Sequence, residues 1–171
     1  MMQNDVAKPE WQSNIEMMMS NMDSKLSDVA LGIGRVFMTF DEETAEKYIH
    51  PNFVDHEASE GLGGGPRGYT NTARYMHQAF SNASWIPTQI FGVGDRYMMM
   101  IHFTGVHTGD FCGIAPTGKK VDIKQIHVFR VENGQAVEHW GARDELTLLQ
   151  QIGKLKLSHR TPADAAAAMF G

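Results

Sequence analysis

Two residues, Asn133-Gly134, stand between two runs whose side chains alternate between apolar and polar. Asn-Gly in that setting is the strongest short-range signal for a β-hairpin, because both central positions of the favoured turn need positive φ. The segment from Lys120 to about Asp144 is thereby committed to antiparallel sheet. On its first strand Val121, Ile123, Phe129 and Val131 form an apolar stripe of period two. Gln125 and His127 lie on the same stripe, where a plain core would carry Val or Leu.

Two registers follow from the turn. With a two-residue loop, Glu132 faces Gln135, His127 faces Trp140 and Gln125 faces Ala142. Cross-strand partners share a face, so an imidazole, an amide, an indole and the carboxylate of Asp144 would converge on one side. With a three-residue loop and a bulge at Gly134, the pairing moves by one and His139 comes opposite His127. The same residues also have plain structural readings. A buried His and Gln can satisfy each other, Trp140 can be packing, and Asp144 can cap a helical turn over LTLLQQ.

Upstream the period changes. Apolar residues from Ile15 to Phe37 recur at three and four, which predicts one or two amphipathic helices from Asn14 to Met38, with Gly32 and Gly34 a weak point. Asp41 is a candidate N-cap for a short helix ending before Pro51. FVDHEA and a Gly-rich loop follow, then a helix from about Tyr69 to Phe80. IPTQIFGVGDRYMMMIHFTGVHTG holds two strands about Val93-Gly94-Asp95. Helices first and an antiparallel sheet after them argue for an α+β fold, a curved sheet with helices on one face. The expected organisation is a single domain over 13–153, between a flexible arm at 1–12 and a tail at 154–171.

Composition removes several classes. A formal charge of −5 without a Lys/Arg cluster argues against nucleic acid as a partner. No apolar stretch approaches the roughly 20 residues that span a bilayer, so no membrane association is expected. The N-terminus lacks the pattern of a signal peptide, and the single Cys112 fits a reducing compartment, so a cytoplasmic location is expected. GLGGGPRG lacks the Gly-Lys-Ser/Thr of a nucleotide loop, and the eight His show no metal-ligand spacing. Twelve Met read as core filler or as an adaptable, sulfur-lined pocket.

The run HFTGVHTGDFCGIAPTGKKVDIKQIHVFRVENGQAVEHWGARDELTLLQQIG closely resembles the SnoaL-like polyketide cyclase (ester cyclase) family. HPNFVDHEASEGLGGGPRGYTNTARYMHQAF resembles its N-terminal half, and the likeness spans roughly residues 14 to 153. It implies the nuclear-transport-factor-2-like superfamily: a cone-shaped α+β barrel, with a strongly bent mixed or antiparallel sheet wrapped around about three N-terminal helices. A deep pocket and a homodimer are implied as well. Carried over residue by residue, Asp144 becomes the acid/base, flanked by Gln125 and His127. His56 and Trp140 match positions near the pocket, and Phe103, Met99 and Tyr75 are expected to join them as substrate-binding wall. The implied chemistry is proton abstraction next to a carbonyl and intramolecular aldol ring closure on a small apolar carbonyl-containing ligand, without cofactor or metal. Isomerisation or hydrolysis in the same pocket, or ligand binding without catalysis, are the alternatives, since one fold hosts many functions.

Overall fold

A computed structural model describes residues 17–20, 22–58 and 61–155. The expected arm at 1–12 and nearly all of the tail lie outside these residues. A helical turn at 17–19 precedes α1 (Ser24–Thr39), whose first turn is capped by Asp23 accepting from the Lys25 amide. The helix runs unbroken through Gly32 and Gly34, so the glycines are not its weak point. Gly32 is instead a close approach: a Cβ there would collide with the Tyr48 ring. Asp41 caps α2 (Glu42–Tyr48) by accepting from the Thr44 amide at 3.1 Å, as expected.

The next element, β1 (Ile49–Asp55), has no counterpart in the sequence reading. Pro51 sits within it, which an edge strand tolerates because one side of its backbone needs no ladder partner. Helix α3 (Gly65–Ala79) begins four residues before the expected start, with Pro66 in its first turn, where a missing amide proton costs little. Then come β2 (Phe80–Val93), β3 (Arg96–His107), β4 (Lys120–Glu132), β5 (Gln135–Arg143) and α4 (Glu145–Gln151). The five strands lie in the order β1-β5-β4-β3-β2, with β1 parallel to β5 and every other pair antiparallel. The result is an α+β fold in which an open, bent sheet carries its helices against one face. Among the described residues no helix is long and apolar enough to cross a membrane.

One core cluster joins Leu26, Ile33 and Val36 of α1 to Tyr97, Met99 and Phe129 of the sheet. A second, at the other end, gathers Phe80, Phe103, Val121, Ile123, Leu148 and Ile152.

The hairpin decides what faces inward. Asn133 (φ 50°) and Gly134 (φ 81°) form the two-residue turn, and Glu132 pairs with Gln135. Val131 then pairs with Ala136 but Arg130 with Glu138, so Val137 is an extra residue, a β-bulge. Beyond it every partner moves by one: Phe129 faces His139, Val128 faces Trp140, His127 faces Gly141 and Gln125 faces Arg143. The two-residue loop therefore holds, while the pairing of His127 with Trp140 does not. Because side chains alternate, the slip turns Trp140 to the outer face and His139 to the inner one.

Candidate active site

Three adjacent cross-strand rows build the inner face. The first runs Tyr97–Phe129–His139–Asp55, the second Ile90–Met99–His127–Gly141, the third Pro87–Ile101–Gln125–Arg143. Against them lies a cavity of about 590 Å³, closed by Ile33 and Phe37 of α1, Tyr69 and Met76 of α3 and Leu148 of α4. That volume is within the usual range for a small-molecule site, and its walls are mainly apolar with a few converging polar groups.

Those polar groups form a chain. Asp55 Oδ1 lies 2.7 Å from His139 Nδ1, His139 Nε2 lies 2.9 Å from His127 Nδ1, and His127 Nε2 lies 3.2 Å from Gln125 Oε1. The side chain of His139 is 3% exposed and that of Asp55 12%. Asp55 can only accept, so His139 Nδ1 carries a proton. The contact between the two rings requires one proton between His139 Nε2 and His127 Nδ1. Burial raises the Asp55 carboxyl, but the hydrogen bond and charge of His139 outweigh it and leave the group below the usual carboxylate range. At His127, burial first and then the charges of His139 and Arg143 lower the imidazole to about 3, with Asp55 pulling the other way.

Gly141 gives this arrangement room. A Cβ at that position would sit 3.3 Å from His127 Nδ1 and 3.3 Å from His139 Cε1, against the very pair of rings that hydrogen-bond.

The residues singled out from sequence divide into four groups. Gln125, His127, Met99 and Tyr75 line the cavity, and the Tyr75 hydroxyl accepts from the Cys112 amide at 2.6 Å, tying the loop after β3 to the rim. Phe103 is fully buried in the second core cluster, stacked on Trp85, and is not part of the lining. His56 and Trp140 stack on each other at 4.8 Å, away from the cavity, where His56 also meets Glu138 at 3.4 Å. Asp144 is a helix cap: its carboxylate accepts from the Thr147 amide at 3.0 Å and is not among the lining groups. Hydrogen bonds from Thr147 hold its carboxyl below the usual range, the reverse of what a general base needs.

Asp55 and Arg143 escaped the sequence reading, and His139 entered it only through the three-residue loop, which the structure does not have. His139 was hidden by the bulge at Val137, Asp55 by its place on an unrecognised strand 84 residues away from its partner, and Arg143 by the same one-residue slip. Among the described residues no group of three or more His, Cys, Asp or Glu is arranged to hold a metal ion.

The model of the SnoaL-like polyketide cyclases matches residues 27–152, which contain the sheet, all of the cavity lining but Met19, and the hydrogen-bonded chain. This chain belongs to that family. As a SnoaL-like protein it is 24% identical over 119 residues to the nogalonic acid methyl ester cyclase of Streptomyces nogalater, a match covering 68% of this chain and 89% of that one. A candidate polyketide cyclase from Bacillus cereus superposes with a TM-score of 0.66 at 26% identity, over 78% of this chain and 83% of the other. IdmH of Streptomyces antibioticus, also a candidate polyketide cyclase, gives 0.64 at 26% identity, over 77% and 99%. The bent sheet and its helices are thus those of SnoaL-like cyclases, and a cyclase is the activity that family and relatives point to.

Proposed function

We propose that this SnoaL-like protein removes a proton next to a carbonyl and closes a ring by intramolecular aldol attack, with His127 as the base and His139 and Asp55 behind it. One observation carries the reading: an unbroken hydrogen-bonded chain from a shielded carboxylate through two imidazoles ends at the wall of an apolar cavity. Before reaction, His139 donates from Nδ1 to Asp55 and accepts at Nε2 from His127 Nδ1–H. That leaves the lone pair of His127 at Nε2. The C–H bond of the substrate breaks, its proton goes to His127 Nε2, and the electron pair becomes an enolate. The enolate carbon attacks a second carbonyl of the same molecule, a C–C bond forms, and the resulting alkoxide takes the proton back from His127. Nothing is gained or lost overall, so the balanced product is a cyclic β-hydroxy ketone.

Each member of the chain has a physical part. Held near 3 by burial and neighbouring charge, the His127 imidazole is a feeble base at neutral pH. Backed by His139 and an ionised Asp55, the positive charge formed on abstraction is spread over both rings and met by a carboxylate, as in a Ser-His-Asp triad. Gln125, whose amide can turn over, offers N–H to the bare Nε2 and its carbonyl to the protonated one. Phe37, Tyr69, Trp85 and Phe129 supply flat apolar walls for an unsaturated carbon skeleton.

A second copy of the chain is the proposed partner. Phe91, Met98, Val128 and Trp140 form one cross-strand row on the outer face, next to Ile126, and Phe91 is 55% exposed. Such a row suits a self-complementary two-fold contact.

The test of the reaction needs no natural substrate. A bicyclic ketone such as 2-tetralone in D2O reports proton abstraction as deuterium gained at the carbon next to the carbonyl, followed by NMR. The protein should accelerate exchange over buffer and the His127→Gln variant should not. A wild-type protein that leaves exchange at the buffer rate overturns the proposal.

A further inference from the structure

We propose that Arg143, with the amide of Gln125, anchors an anionic group of the substrate, so that this protein takes a free acid rather than a neutral ester. The inference rests on the cavity being the substrate chamber of the proposed cyclase.

Arg143 ends β5 on the inner face, directly opposite Gln125, and borders the cavity. It is half-buried, yet among the described residues it makes no ion pair and no side-chain hydrogen bond with a carboxylate. The other described cavity-lining charges, Arg35, Glu57 and Glu145, are all exposed, and neither glutamate is within ion-pair distance of Arg143. The buried Asp55 carboxylate acts on Arg143 only from beyond ion-pair distance, and a guanidinium partly removed from water without a paired carboxylate is costly, a cost that a ligand bringing one recovers. Its planar fork matches a carboxylate, which it can hold with two parallel hydrogen bonds. Gln125 is 3% exposed, and with one N–H turned to the bare Nε2 of His127 its other N–H has no partner among the described side chains. One flat, anion-sized donor set therefore stands one cross-strand row away from His127 and Gly141.

The chemistry gives the anchor a purpose. A free carboxylate next to the reacting carbon would oppose formation of an enolate, because two negative charges would sit close together. Pairing that carboxylate with Arg143 removes the opposition. The guanidinium is also one of the charges that hold His127 down. An anion bound on Arg143 offsets that charge, so the correct substrate strengthens the base it is about to meet.

The test uses two flat aromatic probes, 2-naphthoate and its methyl ester, with quenching of Trp85 at the cavity wall as the signal. Wild-type protein should bind the acid about ten- to a hundredfold more tightly than the ester, the span expected of a charge-assisted contact. Arg143→Met should lose that preference while holding the ester as before, and Arg143→Lys, which keeps the charge without the fork, should keep part of it. Equal acid-to-ester ratios in wild type and Arg143→Met, or failure of the wild type to bind 2-naphthoate, overturn the inference. His127→Gln separates the two proposals, since it should abolish deuterium exchange and leave the acid preference intact. A lost preference in Arg143→Met refutes nothing about the base, and absent exchange with an intact preference refutes the base alone.

Discussion

Replacing His127 with Gln should change how stability depends on pH, by an amount that follows from where the ring sits. In the unfolded chain an imidazole titrates near 6.5, while in the fold burial and neighbouring charge lower His127 to about 3. Between those values the unfolded chain takes up a proton that the native protein refuses. The depressed group therefore contributes stability that is present above 6.5 and lost as pH falls toward 3. At about 1.36 kcal/mol per unit, the whole window is on the order of 4–5 kcal/mol, and the part between pH 7.5 and 5 is about 2 kcal/mol. Asp55, also depressed, acts in the same direction but only at more acid pH, below its ordinary carboxylate range. Gln keeps a polar group beside His139 and removes the titration. Urea unfolding at pH 7.5 and pH 5 should show the wild type losing about 2 kcal/mol more than His127→Gln. Parallel losses in the two proteins would mean that His127 is not held neutral inside the cavity wall, and the chain of hydrogen bonds would fall with it.

Other outcomes follow from single contacts. Asp144→Ala should lower stability by about 1 kcal/mol, the usual worth of an N-cap, in a thermal melt, with exchange activity per folded molecule unchanged. Gly141→Ala should leave the melting temperature level or slightly raised, since Ala in a strand interior outranks Gly by about 0.5–1 kcal/mol. Its deuterium exchange should nevertheless fall about tenfold, because the added methyl presses on both imidazoles; full activity would show that the ring pair is not aligned for catalysis. Phe91→Glu, which puts a charge in the outer apolar row, should convert a two-fold dimer to a monomer in light scattering. A wild-type protein that is already monomeric at micromolar concentration would contradict the proposed pairing.

How much of this was legible in the sequence depends on how local the signal was. The Asn133-Gly134 turn, the Asp41 cap and the inward placement of Gln125 and His127 rest on neighbours within a few residues, and the structure has them as read. The bulge at Val137 leaves no mark, because QAVEHW alternates acceptably in either register. That one residue exchanged Trp140 for His139 on the inner face and removed the expected partner of His127. Strand β1 was unreadable for another reason. Its HPNFVD carries Pro51 and too few apolar residues for a period, and it is held by parallel pairing to β5, a contact the local pattern does not encode. Asp144 illustrates a different limit. A carboxylate just after an inward strand reads equally well as a base or as a cap, and only the Thr147 amide beneath it decides for the cap.

The central claim is that the acid–base group is the Asp55–His139–His127 chain and not the carboxylate that follows the strand. Two isosteric variants compared on one reaction test it most directly: Asp55→Asn and Asp144→Asn, each assayed for deuterium exchange into 2-tetralone at pH 7.5. Asn at 55 keeps the shape but removes the charge that supports the imidazoles, and should slow exchange by about a hundred- to ten-thousandfold. Asn at 144 remains a good cap and should exchange at the wild-type rate. Full exchange in Asp55→Asn together with loss in Asp144→Asn would contradict the account and return the base to Asp144.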